Sequence, residues 1–293
     1  MITAIIYTIK REFKAQSRNL THDKPDRFSK SQWVRSESQK CTSIYLCYKW
    51  LIAAYLFVGL IITIVDIRTL GQLSWPENVF FRLKWAVYVT NWSAVIVFAQ
   101  AVMAAVLATK HHLTSGQSDR QMTKLHKSYW LLNNMGNVLA PAVTLLYWTT
   151  VYNSKMHRLD FVNAHNHIMN SVVVAADLAL AAHPVRLLHV YQPVLFAMGY
   201  GTFSAVYFLF GGTNRDHNSK IYPLLNWQKP GLAVAAVVAA CLLLVVLHAL
   251  VWLFYLLRRK IALFLVASPS GGQYAVQPTQ DVPPSVREQI QLC

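Results

Sequence analysis

Four stretches of this chain, Trp85–Thr109, Ser128–Ser154, Leu187–Asn214 and Pro230–Leu257, run for 25, 27, 28 and 28 residues without an Asp, Glu, Lys or Arg. About 20 largely apolar residues suffice for a helix to cross the hydrocarbon core of a bilayer, where only helices and closed barrels satisfy their own backbone. Two weaker windows accompany them. Tyr45–Ile67 is apolar except for Lys49 and Asp66, and Lys49 is expected to snorkel from a helix end. The stretch between Asp160 and Arg186 is interrupted by Asp177 and flanked by His165, His167 and His183, which leaves a span or a re-entrant hairpin.

The expected fold class is therefore all-α, an integral membrane helix bundle of about six transmembrane helices over residues 45–260. A cytosolic basic N-terminal arm (1–44) precedes it, and a disordered cytosolic tail (261–293) follows. Composition agrees: 55% of the residues are hydrophobic and only 13% charged, where a soluble domain carries about 25%. A net charge of +15 on so apolar a chain points to a membrane surface and not to nucleic acid. The first apolar stretch starts about 45 residues in, behind a basic segment, and is expected to stay as an anchor. With six spans, 18 Lys and Arg fall on one side and 8 on the other, with Lys49 inside the first helix. The positive-inside rule then places both termini in the cytosol.

Within the arm, Ile2–Phe13 is apolar with a basic end, and Arg18–Lys40 is polar with a turn signal at Asp23-Lys24-Pro25-Asp26. It reads as a solvated arm carrying topology signals, with anionic lipid heads as the alternative partner of its basic residues. The tail from Ser268 is rich in Pro, Ser, Gly and Gln and cannot bury a core. The four cysteines lie in no metal-ligand spacing.

Polar residues inside spans are costly and face the bundle interior, so their positions map it. Thr90, Ser93, Val97 and Gln100 form one helical stripe, with Asn91 beside it; His167, Asn170, Val174 and Asp177 form another, with Asn163 a turn before. Asn133, Asn134 and Asn137 cluster on the third span. Given the inferred topology, Thr90 and His167 each lie near the outer start of a helix and hence at similar depth. A hydroxyl beside a neutral imidazole is the minimum for general-base nucleophilic catalysis, and nearby asparagines are candidate oxyanion donors. Helix packing through hydrogen bonds is the alternative role for the same groups. His165 and His167, two apart, point to nearly opposite sides of a helix, so no metal is expected there and no cofactor is implied. Asp177, about 15 Å along the helix from His167, is expected to pair near the cytoplasmic half.

Lys10-Arg11-Glu12-Phe13, His22-Asp23-Lys24-Pro25, Ser31-Gln32-Trp33, Tyr88-Val89-Thr90-Asn91-Trp92, Gly211-Gly212-Thr213 and Ile221-Tyr222-Pro223 together resemble the insect rolling stone membrane proteins. That resemblance covers nearly the whole chain except the tail and implies a link to membrane or cell fusion, as in myoblasts. The family is in turn distantly similar to the androgen-induced and androgen-dependent hydrolases of fatty-acid esters of hydroxy fatty acids. Their nucleophilic threonine falls on Thr90 and their histidine on His167, with Asn163 and Asp177 in flanking positions; Tyr222-Pro223 and Pro230-Gly231 echo later pairs. Ala164 and Val172 depart from that pattern. The residues and the resemblance thus leave two readings, a fusion-linked membrane protein and an intramembrane Thr90/His167 lipid ester hydrolase. The partners expected are the bilayer and, in the second case, a lipid ester. A transporter with Asp66 and Asp177 as ion sites is a third, without the paired broken helices that such folds show.

Overall fold

The computed structural model describes residues 19–33, 43–65, 75–114, 121–153 and 159–267, together with positions 6, 7, 10, 13 and 14. Asp66, most of Ile2–Phe13 and the tail from Ser268 lie outside the described residues. Those described form an all-α bundle: α1 (Ser43–Val65), α2 (Trp75–Leu83), α3 (Val89–Leu113), α4 (Lys124–Leu146), α5 (Phe161–Ala164), α6 (Asn170–Leu180), α7 (Tyr191–Leu209) and α8 (Pro230–Ala267). Three of these, Ser43–Val65, Val89–Leu113 and Pro230–Leu265, are long and apolar enough to cross a membrane. α8 runs on beyond Lys260 to Ala267, because Ile261-Ala262-Leu263-Phe264-Leu265 continues its apolar helix-forming sequence past the basic cluster. The Asp160–Arg186 stretch is no hairpin. α5 and α6 are joined end to end by a π-helical turn at His165–Met169.

α4 is the central helix. It packs on α3, α6, α7 and α8, while α1 packs on α3. Small residues make the closest approaches possible: Ala94, Ala101, Ala104, Ala105 and Ala108 line the buried face of α3. Gly136 leaves the space that the Gln100 side chain fills, and Gly59 the space that the His165 ring fills. The polar stripes are interior, as the helical spacing requires: Ser93, Gln100, Asn133, Asn137, Asn170 and Asp177 are all buried. An apolar layer of Val97, Ala140 and Val174 belongs to the same core.

Lys49 does not snorkel. It is buried and its ammonium pairs with the Asp177 carboxylate of α6, beside the rings of Tyr45 and Tyr48. Two charges removed from water need each other and further dipoles, and a lone partner left behind is the costly state. Those dipoles continue inward. Tyr129 lies 3.2 Å from His183 Nδ1, His183 Nε2 is 2.7 Å from Asn133 Oδ1, and Asn137 donates to the same oxygen at 2.9 Å. Since an amide oxygen only accepts, His183 donates from Nε2 and accepts a hydrogen bond from the Tyr129 hydroxyl on Nδ1.

Residues 19–33 are not a solvated arm either. A 3₁₀ turn at Pro25–Phe28 seats Phe28, 3% exposed, against Trp130 (ring centroids 5.1 Å apart) and face to face with His183 (5.9 Å). Arg186 donates to the carbonyls of Asn19 and Thr21 at 2.8 and 2.7 Å. The reason lies in α6, whose last four carbonyls have no intrahelical donor. The amide of Ala181 takes Asp177 O, Arg258 takes Leu178 O, Trp33 Nε1 takes Ala179 O at 2.8 Å, and Ser31 Oγ and the Gln32 amide take Leu180 O at 3.0 and 2.7 Å. The N-terminal segment is thus the cap of α6, and solvating it would orphan half of that helix end.

Replacing Lys49 by Met or Asp177 by Leu alone should cost about 3–5 kcal/mol, and the double variant should recover most of that loss; thermal unfolding in detergent reads both. A second outcome concerns the cap. Burial, with Arg27 and Arg186 nearby and Asp23 opposing them, holds the His22 imidazole below its ordinary 6.5. The unfolded segment therefore binds the proton more readily, so the His22 contribution is complete above pH 6.5 and is lost as pH falls toward the lowered value. Hydrogen exchange of residues 19–33 should accelerate between pH 7.5 and 5 beyond its intrinsic pH dependence, and His22→Gln should remove the excess.

Candidate functional site

At the opposite end from the N-terminal cap, α3, α4, α7 and α8 enclose a cavity of about 1140 Å³. Its depth is apolar, with Leu139, Val143, Phe196 and Leu244, and its mouth is polar, with Asn214, Arg215, Asp216 and Lys220. Both Thr90 and His167 line it.

Thr90 is the second residue of α3. The chain reaches it through a 3₁₀ turn, Lys84–Val87, and an extended Tyr88. That entry is fixed by side chains: Asn91 Nδ2 donates to Trp85 O at 2.6 Å, Trp92 Nε1 to Ala86 O at 2.6 Å, and the Tyr200 hydroxyl of α7 to Val87 O at 2.8 Å. One amide hydrogen of Asn91 is thereby committed to the backbone. The amides of Asn91 and Trp92 donate to Tyr88 O at 3.0 and 3.4 Å, and those of Val89 and Thr90 precede these first helical bonds at the cavity end.

His167 lies in the π-helical turn between α5 and α6, and Tyr147 in a second one, Tyr147–Val151, that ends α4. Such turns re-aim side chains locally and recur at functional sites. Here they lay the two rings parallel, with centroids 3.4 Å apart. Asn163 holds the Tyr147 hydroxyl at 2.7 Å, and Trp148 Nε1 donates to His167 O at 3.3 Å. Asn163, too, serves to hold the stack. His165 points elsewhere, its Nδ1 3.1 Å from the Tyr55 hydroxyl of α1, so the two imidazoles diverge. Among the described residues no three His, Cys, Asp or Glu side chains converge as a metal site would require.

A different tyrosine meets each candidate: Tyr147 stacks on His167, and Tyr222, from a distant loop, meets Thr90. Gly211, at φ 73°, ends α7 in the left-handed conformation that glycine tolerates, and residues 212–229 then fold over the cavity. Lys84 Nζ donates to Thr213 Oγ1 at 2.8 Å and Asn214 O at 2.9 Å, and the Arg215 amide donates to the Tyr88 hydroxyl at 3.1 Å. This loop carries Tyr222 to the Thr90 hydroxyl and to the amides of Val89 and Thr90. Burial pushes its phenol up to about 12, against the opposing pull of those Thr90 contacts, so it is protonated at neutral pH. Spacing along the chain gave no sign of Tyr147 or Tyr222 as site residues; only the Tyr222-Pro223 pair in the resemblance touched on the second.

A protein-family model described as Protein rolling stone matches residues 3–273. Protein rolling stone of Drosophila melanogaster is 28% identical over 264 residues, which cover 86% of this chain and 90% of the relative. No solved structure matches. The model match extends over nearly all of the bundle, including the cap, the cavity and the loop above it, and the chain belongs to the rolling stone family.

Proposed function

We propose that the cavity takes the acyl part of a lipid ester and that Thr90 and His167 cleave it. The observation that carries this reading is the placement of both side chains on the wall of one cavity of about 1140 Å³ with apolar depth and polar mouth. A hydroxyl does not attack an ester unless a base takes its proton. In the reaction, Thr90 Oγ1 bonds to the acyl carbon as His167 accepts its proton; the ester C–O bond breaks and the leaving alkoxide takes that proton. Water, deprotonated by His167, then frees the acid and restores Thr90. The apolar walls hold the chain and keep bulk water from the reacting carbon.

Thr90→Ala and His167→Ala should each abolish cleavage of fatty-acid esters of hydroxy fatty acids, and labelling by a fluorophosphonate, in purified protein. The double variant should be no worse than either, since members of one unit do not act additively. Full turnover in either single variant sinks the reading.

A second reading, implied by the resemblance to the rolling stone proteins, is that the protein acts in membrane or cell fusion. The two are compatible if lipid cleavage serves fusion; a cell–cell content-mixing assay with the Thr90→Ala variant separates them, since a purely structural fusion role survives the loss of the hydroxyl.

We further infer six crossings with both termini in the cytosol, supported by the imbalance of 18 against 8 basic residues between the two sides. Asn19-Leu20-Thr21 is a glycosylation acceptor sequence. Expression in a glycosylating membrane should leave Asn19 bare, and a glycan there would reverse the orientation.

A further inference from the structure

The reaction needs a group that receives the negative charge of an attacked carbonyl, and one amide hydrogen of Asn91 is already committed to Trp85 O and one of Asn163 to the Tyr147 hydroxyl. Tyr222 is differently placed. Its hydroxyl is buried and faces Thr90 and the first amides of α3, yet no well-aligned hydrogen bond occupies it. Such an unspent buried hydroxyl is costly unless something else claims it.

We propose that the Tyr222 hydroxyl is a catalytic hydrogen-bond donor, which binds the carbonyl oxygen of the ester and stabilises the oxyanion formed when Thr90 attacks. The inference rests on the hydrolase reading above and extends it from a nucleophile and a base to the third group that acyl transfer requires.

Three features of the structure make Tyr222 suited to this. Its oxygen is a neighbour of the Thr90 hydroxyl, so a carbonyl carbon at bonding distance from Thr90 carries its oxygen to within reach of the phenol. The Val89 and Thr90 amides face the same oxygen, and the positive end of the α3 dipole that they form favours negative charge developing there. Finally, the ring is held before substrate arrives. It meets Tyr88 edge-on at 5.9 Å and packs beside Tyr200, Leu225 and Ala233. Its loop is tied down on the other side by Trp227 Nε1, which donates to Ser204 Oγ at 3.0 Å. A donor fixed in place stabilises charge without having to reorganise as the charge appears.

The test uses the full chain in lipid nanodiscs, with a fluorescent fatty acid as a binding probe and a fatty-acid ester of a hydroxy fatty acid as substrate. Tyr222→Phe should lower kcat by about 10²–10³-fold, the usual effect of removing one oxyanion donor, with KM, fluorescent fatty acid binding and thermal stability close to those of the parent. Replacing Tyr222 by 3-fluorotyrosine, which keeps the O–H, should restore turnover. Parental kcat in Tyr222→Phe overturns the proposal, as does a loss of turnover that comes with equal losses of probe binding and thermal stability, which marks a packing role. A parent protein inert toward esters removes the hydrolase reading itself, and the role of Tyr222 with it.

Discussion

The interaction on which the bundle depends is the buried pair of Lys49 and Asp177, which ties α1 to α6 across 128 residues of chain. A cation and an anion in the interior are tolerated only as a pair whose remaining hydrogen-bonding capacity is met. Their surroundings are built accordingly, with Tyr45 and Tyr48 over the ammonium and the Tyr129, His183, Asn133 and Asn137 chain alongside. That chain runs on to Phe28, stacked on His183. The N-terminal cap and the charge pair are consequently parts of one polar core, and neither reaches its low-energy arrangement without the other.

The opposite end of the molecule is organised by backbone irregularity in place of charge. Two π-helical turns bring Tyr147 and His167 face to face, and a 3₁₀ turn with an extended residue sets Thr90 at the mouth of α3. Val97, Ala140 and Val174 lie between this cavity and the polar core. These side chains are apolar and branched or small and belong to one packed cluster, although the polar stripes run along the same helices.

Much of the architecture was legible in the order of residues. Uncharged windows gave every long helix, and the stripes through Thr90 and His167 gave the interior faces, because helical periodicity and the cost of polar groups in lipid are local rules. That Asp177 would pair with a polar group away from His167 is readable from its distance along the helix, while its partner is not: Lys49 four residues into an apolar window reads as a snorkelling residue until the helix carrying Asp177 is placed beside it. The cap at 19–33 and the lid bearing Tyr222 were hidden for the same reason. Both are irregular segments whose structure is decided by carbonyls and amides of helices far away in the chain, and no periodicity announces such contacts.

The end of α6 shows what this implies for the order of assembly. Its final carbonyls are taken by Ser31, Gln32 and Trp33 from the beginning of the chain and by Arg258 from the last helix. During synthesis the first donors wait from the outset, but the last does not exist until α8 has been made. The C-terminal end of α6 therefore stays incompletely capped while more than 70 residues are added after it. The closing of this helix end thus waits on the last helix, and a product truncated before Arg258 keeps the Leu178 carbonyl without that donor.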